Sequence, residues 1–155
     1  MTPIDRLIAH LKVHEGFREF VYDDATGKPI GPGVLVEGNP TIGYGWALNK
    51  SPMPKGLGDV VLRDMVQERI FELHHRLPWL NDLDDVRKVA LYELAYNLGV
   101  EGLLGFEKTL EFMRRRRYEL AGVELLDSDA ARMLPGRYHV LSDMLVTGRW
   151  PGEAT

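Results

Sequence analysis

A chain of 155 residues, 45% hydrophobic and 27% charged, is long enough for one compact domain or one domain with two lobes, and its composition excludes whole-chain disorder, collagen and coiled coil. A net charge of −4 argues against nucleic acid as the main partner, and the lack of cysteine excludes disulfides, thiolate metal sites and a cysteine nucleophile. No apolar run approaches the roughly 20 residues that span a bilayer, and no basic segment followed by an apolar stretch opens the chain, so neither stable membrane insertion nor a secretory signal is expected.

Thr2-Pro3 predicts a helix start, a hydroxyl cap followed by proline at the first helical position. Ile4, Leu7, Ile8 and Leu11 follow at helical spacing, and Gly16 supplies a stop just after Glu15. From Phe17 to Trp46, β-formers are cut by glycine and proline, which predicts short strands joined by tight turns. Prolines 52 and 54 and glycines 56 and 58 predict a linker, with Asp59 capping a helix that runs to about Leu77 and is ended by Pro78. A central helix is expected from Asp84 or Asp85 to about Leu98, stopped by Gly99. Helices are expected again at 107–117, 118–126, 128–134 and 136–147. Strands early and helices late make an α+β pattern.

Glu15 and Asp24 are the first residues of chemical interest. A carboxylate at a helix end and another at a strand end can face one cleft, and glycosidic cleavage needs such a pair, one protonated and one ionised. Taken alone, the same spacing equally describes two solvated surface acids. Thr41-Ile42-Gly43-Tyr44-Gly45 adds a hydroxyl at a strand start and two glycines that let other groups approach the backbone, although a plain hairpin reads the same way.

Together these parts resemble the phage-type lysozymes, or endolysins. That family carries a glutamate at the end of its first helix, an aspartate shortly after it, and a threonine opening T-I-G-x-G. Here these are Glu15-Gly16-Phe17-Arg18, Tyr22-Asp23-Asp24 and Thr41-Ile42-Gly43-Tyr44-Gly45, with Asp24 rather than Asp23 at the family spacing. The resemblance continues through Asp85-Val86-Arg87-Lys88-Val89-Ala90-Leu91, Asn97-Leu98-Gly99-Val100-Glu101-Gly102 with Phe106, Arg116-Arg117-Tyr118, Pro135-Gly136-Arg137 and Thr147-Gly148-Arg149-Trp150. It therefore covers nearly the whole chain. The chain departs from the family in the long stretch from 25 to 40, in Trp46 where the family has histidine, in Ala130 where it has tryptophan, and in its acidic net charge.

The resemblance implies a lysozyme-like α+β fold. A small β-containing N-terminal lobe of about 13–58 would face a larger helical lobe of about 59–155 plus the first helix, 3–14, with the active-site cleft between the lobes. It implies a monomeric muramidase that hydrolyses the β-1,4 bond between N-acetylmuramic acid and N-acetylglucosamine in bacterial peptidoglycan. Glu15 would be the general acid, Asp24 would stabilise charge or help activate water, and Thr41 would hold the water. Tyr96, Asn97 and Thr109 match cleft-lining positions, Arg137 matches the arginine that pairs with the glutamate, and Trp46, beside the T-I-G-x-G motif, is a candidate to stack on a sugar ring in the cleft. No metal or organic cofactor is implied. Synthesis in the host cytoplasm and action on the periplasmic wall would require a holin.

Other readings stay open on the residues alone: an inactive wall-binding protein on the same fold, a lytic transglycosylase, or a nucleic-acid binder using Arg114–Arg117. That arginine run reads either as a solvated helix face or as an anion-binding patch. His74 and His75, being adjacent, point to different sides of a helix and do not chelate like an i,i+4 pair.

Overall fold

The structure, a computed structural model, describes residues 2–153. Thr2 and Asp5 form a reciprocal capping box: the Thr2 hydroxyl accepts from the Asp5 N–H, and the Asp5 carboxylate accepts from the Thr2 N–H at 2.7 Å. Helix α1 runs Pro3–Glu15 and stops at Gly16, where φ is +65°. Start and stop both fall where the sequence places them.

Strands β1 (Arg18–Asp23), β2 (Pro40–Gly43) and β3 (Trp46–Ala47) form one antiparallel sheet in the order β1-β2-β3. Thr41 occupies the middle strand, opposite Tyr22 on one side and Ala47 on the other. The long 25–40 stretch is not a simple extension of the hairpin. It first turns back on β1, with Asp23 N–H donating to the Lys28 carbonyl and Ile30 N–H to the Val21 carbonyl. Its far end returns to the sheet through the two aspartates described below.

Helix α2 covers Lys55–Arg76 and so begins four residues before the expected cap at Asp59. Gly56 and Gly58 are helical, and Asp59 instead pairs with Lys55 one turn earlier, at 2.8 Å. An i,i+4 ion pair and the length of the helix outweigh two glycines at about 1 kcal/mol each. A 3₁₀ turn, Pro78–Asp82, leads to α3 (Asp85–Leu104), capped by the Asp84 carboxylate on the Arg87 N–H. Gly99 takes φ +73° and breaks α3 where the sequence places a stop, but helical turns resume beyond it. Helices α4 (Glu107–Arg114), α5 (Tyr118–Leu126), α6 (Asp129–Met133) and α7 (Pro135–Thr147) complete the chain. The architecture is thus α+β, with the sheet early and the helices dominant.

Contacts divide the chain into two units at Asp59/Val60. In the second unit α5 packs on α4 and α7, and α3 on α7. Its core gathers Leu73, Leu80, Leu91, Leu94, Leu103, Met113, Leu125, Tyr138, Leu141 and Leu145, all at most 2% exposed. Arg87 ties three of these helices together. Its guanidinium donates to the Leu145 and Val146 carbonyls at the end of α7, both at 2.8 Å, pairs with Asp84 at 2.6 Å, and stacks over the Tyr118 ring. In the first unit, by contrast, the buried side chains among the described residues are polar: Asp23 and Thr41.

No helix among the described residues is long and apolar enough to cross a membrane.

Candidate active site

Glu15, Asp24, Thr41 and Trp46 all lie in the first unit, whereas Tyr96, Asn97, Thr109 and Arg137 lie in the second. The capping of α1 puts Glu15 at its last position, and the Tyr44-Gly45 turn between β2 and β3 comes up against it. A Cβ on Gly45 would stand 2.7 Å from Glu15 Oε2, closer than side-chain carbons sit to oxygen, and Gly45 also takes φ +76°. The carboxyl therefore rests on bare backbone. Around it Ile8, Leu11, Lys12 and Tyr44 complete a surface groove of about 250 Å³. Glu15 itself is exposed.

Asp24 sits in the turn just after β1. Its two oxygens accept from the backbone N–H and the side-chain amide of Asn39, at 2.7 and 2.8 Å. These bonds, the side-chain one foremost, hold its pKa below the ordinary carboxylate value of 3.8. Asn39 is oriented in turn by Asn49, whose amide donates to Asn39 Oδ1 at 3.0 Å. Thr41 Oγ1 donates to the Asn39 carbonyl at 3.1 Å. Asn39 thus connects Asp24 and Thr41, although the sequence gives it no part in the site.

Asp23 was also missed. It is 2% exposed and accepts from the backbone N–H groups of Glu37 (2.7 Å), Gly38 (3.0 Å) and Ala25 (3.0 Å). Adjacent strand residues would face opposite sides, but Asp24 has already left the strand, so both carboxylates turn to residues 37–39. The Glu37 N–H leads in lowering the Asp23 pKa. A lowered native pKa contributes stability that is complete above 3.8 and is lost as pH falls through the native value. Asp23→Asn is therefore expected to reduce the acid-side loss of stability in the first unit, to which Asp5 and Asp24 also contribute, and Asp23→Ala to lower its melting temperature by unpairing three N–H groups. Thermal melts from pH 2 to pH 7 check both.

Trp46 spends its indole N–H on the Ser51 carbonyl at 2.9 Å, which closes the chain after β3. In the second unit Asn97 uses both ends of its amide locally. Its Nδ2 donates to the Glu93 carbonyl at 2.8 Å, and its Oδ1 accepts from Arg137 at 2.6 Å. Arg137 also approaches Glu93 at 3.7 Å, and Tyr96 is half-exposed beside Arg69. Thr109 lines a surface groove of about 340 Å³ in the second unit, with Phe106, Lys108, Glu124 and Ser128. It is 1% exposed on α4, and its buried hydroxyl has no hydrogen-bond partner. Thr109→Val, which removes that orphan at nearly constant volume, is expected to raise stability by about 1 kcal/mol. Chemical denaturation of the two proteins checks this.

The arginine run is not one helix face. α4 ends at Arg114, Arg116 adopts φ +57°, and Arg117 precedes α5. Arg114 and Arg115 both pair with Glu111, at 2.9 and 2.5 Å, which neutralises part of the cluster. His74 Nε2 and the Tyr92 hydroxyl share a hydrogen bond at 2.5 Å. No cluster of three or more His, Asp or Glu side chains among the described residues is placed to hold a metal ion.

No protein-family model matches this chain.

Proposed function

We propose that the chain is a muramidase of lysozyme-like fold, a monomer that hydrolyses the β-1,4 bond between N-acetylmuramic acid and N-acetylglucosamine in bacterial peptidoglycan. The observation that carries this reading is the seating of the Glu15 carboxyl on the Gly45 backbone, in the same unit that binds Asp24 and Thr41 to Asn39. The three residues picked out by their motif stand at the end of α1, in the turn after β1 and in β2.

Each has a distinct task. Glu15 donates its proton to the glycosidic oxygen as the bond breaks. Sugar rings lying over the groove would exclude water around that carboxyl. Asp24, with its pKa held down by Asn39, is a persistent anion and a weak base. It therefore suits stabilisation of positive charge on the sugar better than proton abstraction. Thr41 has already given its hydroxyl proton to the Asn39 carbonyl, so its oxygen is left to accept one from a water. That water, held at the sheet, attacks the anomeric carbon.

On this reading the protein serves host lysis. It would reach periplasmic peptidoglycan from the host cytoplasm once a holin has opened the membrane. Purified protein added to permeabilised Gram-negative cells should clear their turbidity. Binding to sedimented wall without clearing would instead indicate a wall-binding protein without catalysis. Asp24→Ala is expected to lower the clearing rate by about 100-fold and also to lower the melting temperature, since it frees the Asn39 N–H and side-chain amide. Initial rates and a thermal melt on the same preparation check this.

A further inference from the structure

Helix α1 carries two histidines that the reaction above does not use. His10 and His14 stand at i and i+4, so their rings leave the same face of the helix. Their Nε2 atoms are 3.3 Å apart, and their ring centroids 4.4 Å apart with the planes tilted by 51°. Both side chains are exposed. The helix beneath them is fixed at both ends, by the Thr2–Asp5 box and by Gly16.

In the absence of a metal this contact is one hydrogen bond, an Nε2–H of one ring donating to the Nε2 lone pair of the other. The same separation suits two ligands of one ion. Zinc–nitrogen bonds of about 2.05 Å that span 3.3 Å meet at about 107°, close to the tetrahedral angle. The exposed rings turn slightly toward the ion, and one proton moves. The donor ring moves its proton from Nε2 to Nδ1 and presents a neutral lone pair, so both imidazoles remain uncharged and no proton is lost overall.

We propose that His10 and His14 form an open binding site for a divalent transition-metal ion, with water completing the coordination. Two imidazoles select Cu²⁺, Ni²⁺ and Zn²⁺ over Mg²⁺ and Ca²⁺, which take oxygen ligands. No third His, Asp or Glu joins the pair among the described residues, so binding is reversible and weaker than at a four-ligand structural site. An ion held across one helical turn binds the folded helix in preference to the unfolded chain, and so stabilises α1. The site is independent of the reaction proposed above.

Calorimetric titration of the metal-free, full-length protein with ZnCl₂, alongside the imidazole Cε1–H signals in NMR spectra, tests this. One equivalent should bind, and the His10 and His14 signals should shift together. CuCl₂ should bind more tightly than ZnCl₂, and MgCl₂ should leave both signals in place. His10→Gln and His14→Gln should each weaken zinc binding by about tenfold or more, because the second imidazole acts as an intramolecular ligand. A double variant, its helix content checked by circular dichroism, gives the background from His74, His75 and His139. Wild-type affinity no greater than that background, or full affinity in either single variant, would overturn the proposal.

Discussion

Glu15→Gln is expected to remove lytic activity while leaving the fold intact. The amide matches the carboxyl in size, so it can occupy the same position over Gly45 without new contacts. It has no proton acidic enough to give to a leaving oxygen. General acid catalysis contributes about 10²–10⁴-fold, and a loss of that size should appear in the clearing rate. The melting temperature should stay close to wild type, because the exposed Glu15 carboxyl anchors no other element. Gly45→Ala approaches the same failure from the other side. Its methyl group would land on the Glu15 carboxyl at a backbone φ of +76°, so activity should fall although both catalytic acids remain. Parallel loss of rate in the two variants, with folded spectra, would tie activity to this one seat.

The largest stability effect is expected at Arg87. Its guanidinium satisfies two carbonyls at the end of α7, an end that otherwise leaves such groups without partners. It also joins Asp84 at the start of α3 and covers the Tyr118 ring at the start of α5. Arg87→Ala removes these contacts together and should cost the second unit about 3 kcal/mol, since hydrogen bonds to charged groups are worth about 1.5–3 kcal/mol. For a protein of this size that corresponds to a fall of about 10 °C in melting temperature. Arg87→Lys should recover less than half, because a single ammonium cannot bridge two carbonyls and a carboxylate. Gly148 offers an independent check. A Cβ there would stand 2.3 Å from Arg87 Nη1, so Gly148→Ala should destabilise through the same guanidinium. Urea titrations of the three variants, compared at equal slope, measure these effects.

Where the sequence carries local chemistry, the elements follow it. Thr2-Pro3 and Gly16 bound α1, Asp84 caps α3, and Gly99 interrupts it, because caps and left-handed glycines act over one or two residues. The start of α2 was misplaced because Pro52, Pro54, Gly56 and Gly58 all signal a linker, while the Lys55–Asp59 pair that extends the helix appears only once the helix exists. The motif residues Glu15, Asp24 and Thr41 could be read directly, but their support could not. Asn39 meets Asp24 across fifteen positions of chain, and Asp23 reaches Glu37 across fourteen. No periodicity reports such pairings. The one local signal was the Asp23-Asp24 doublet before Ala25-Thr26-Gly27, the composition of a turn in which aspartate binds nearby N–H groups.

On the proposed reading, water cleaves the glycosidic bond and its oxygen ends on the anomeric carbon. Digestion of purified peptidoglycan in ¹⁸O-labelled water, followed by mass spectrometry of the released muropeptides, tests it most directly. Hydrolysis should release muropeptides ending in reducing N-acetylmuramic acid, each carrying one ¹⁸O, and Glu15→Gln should release none. Products ending in 1,6-anhydro-N-acetylmuramic acid without label, or intact glycan after incubation with folded wild-type protein, would contradict it.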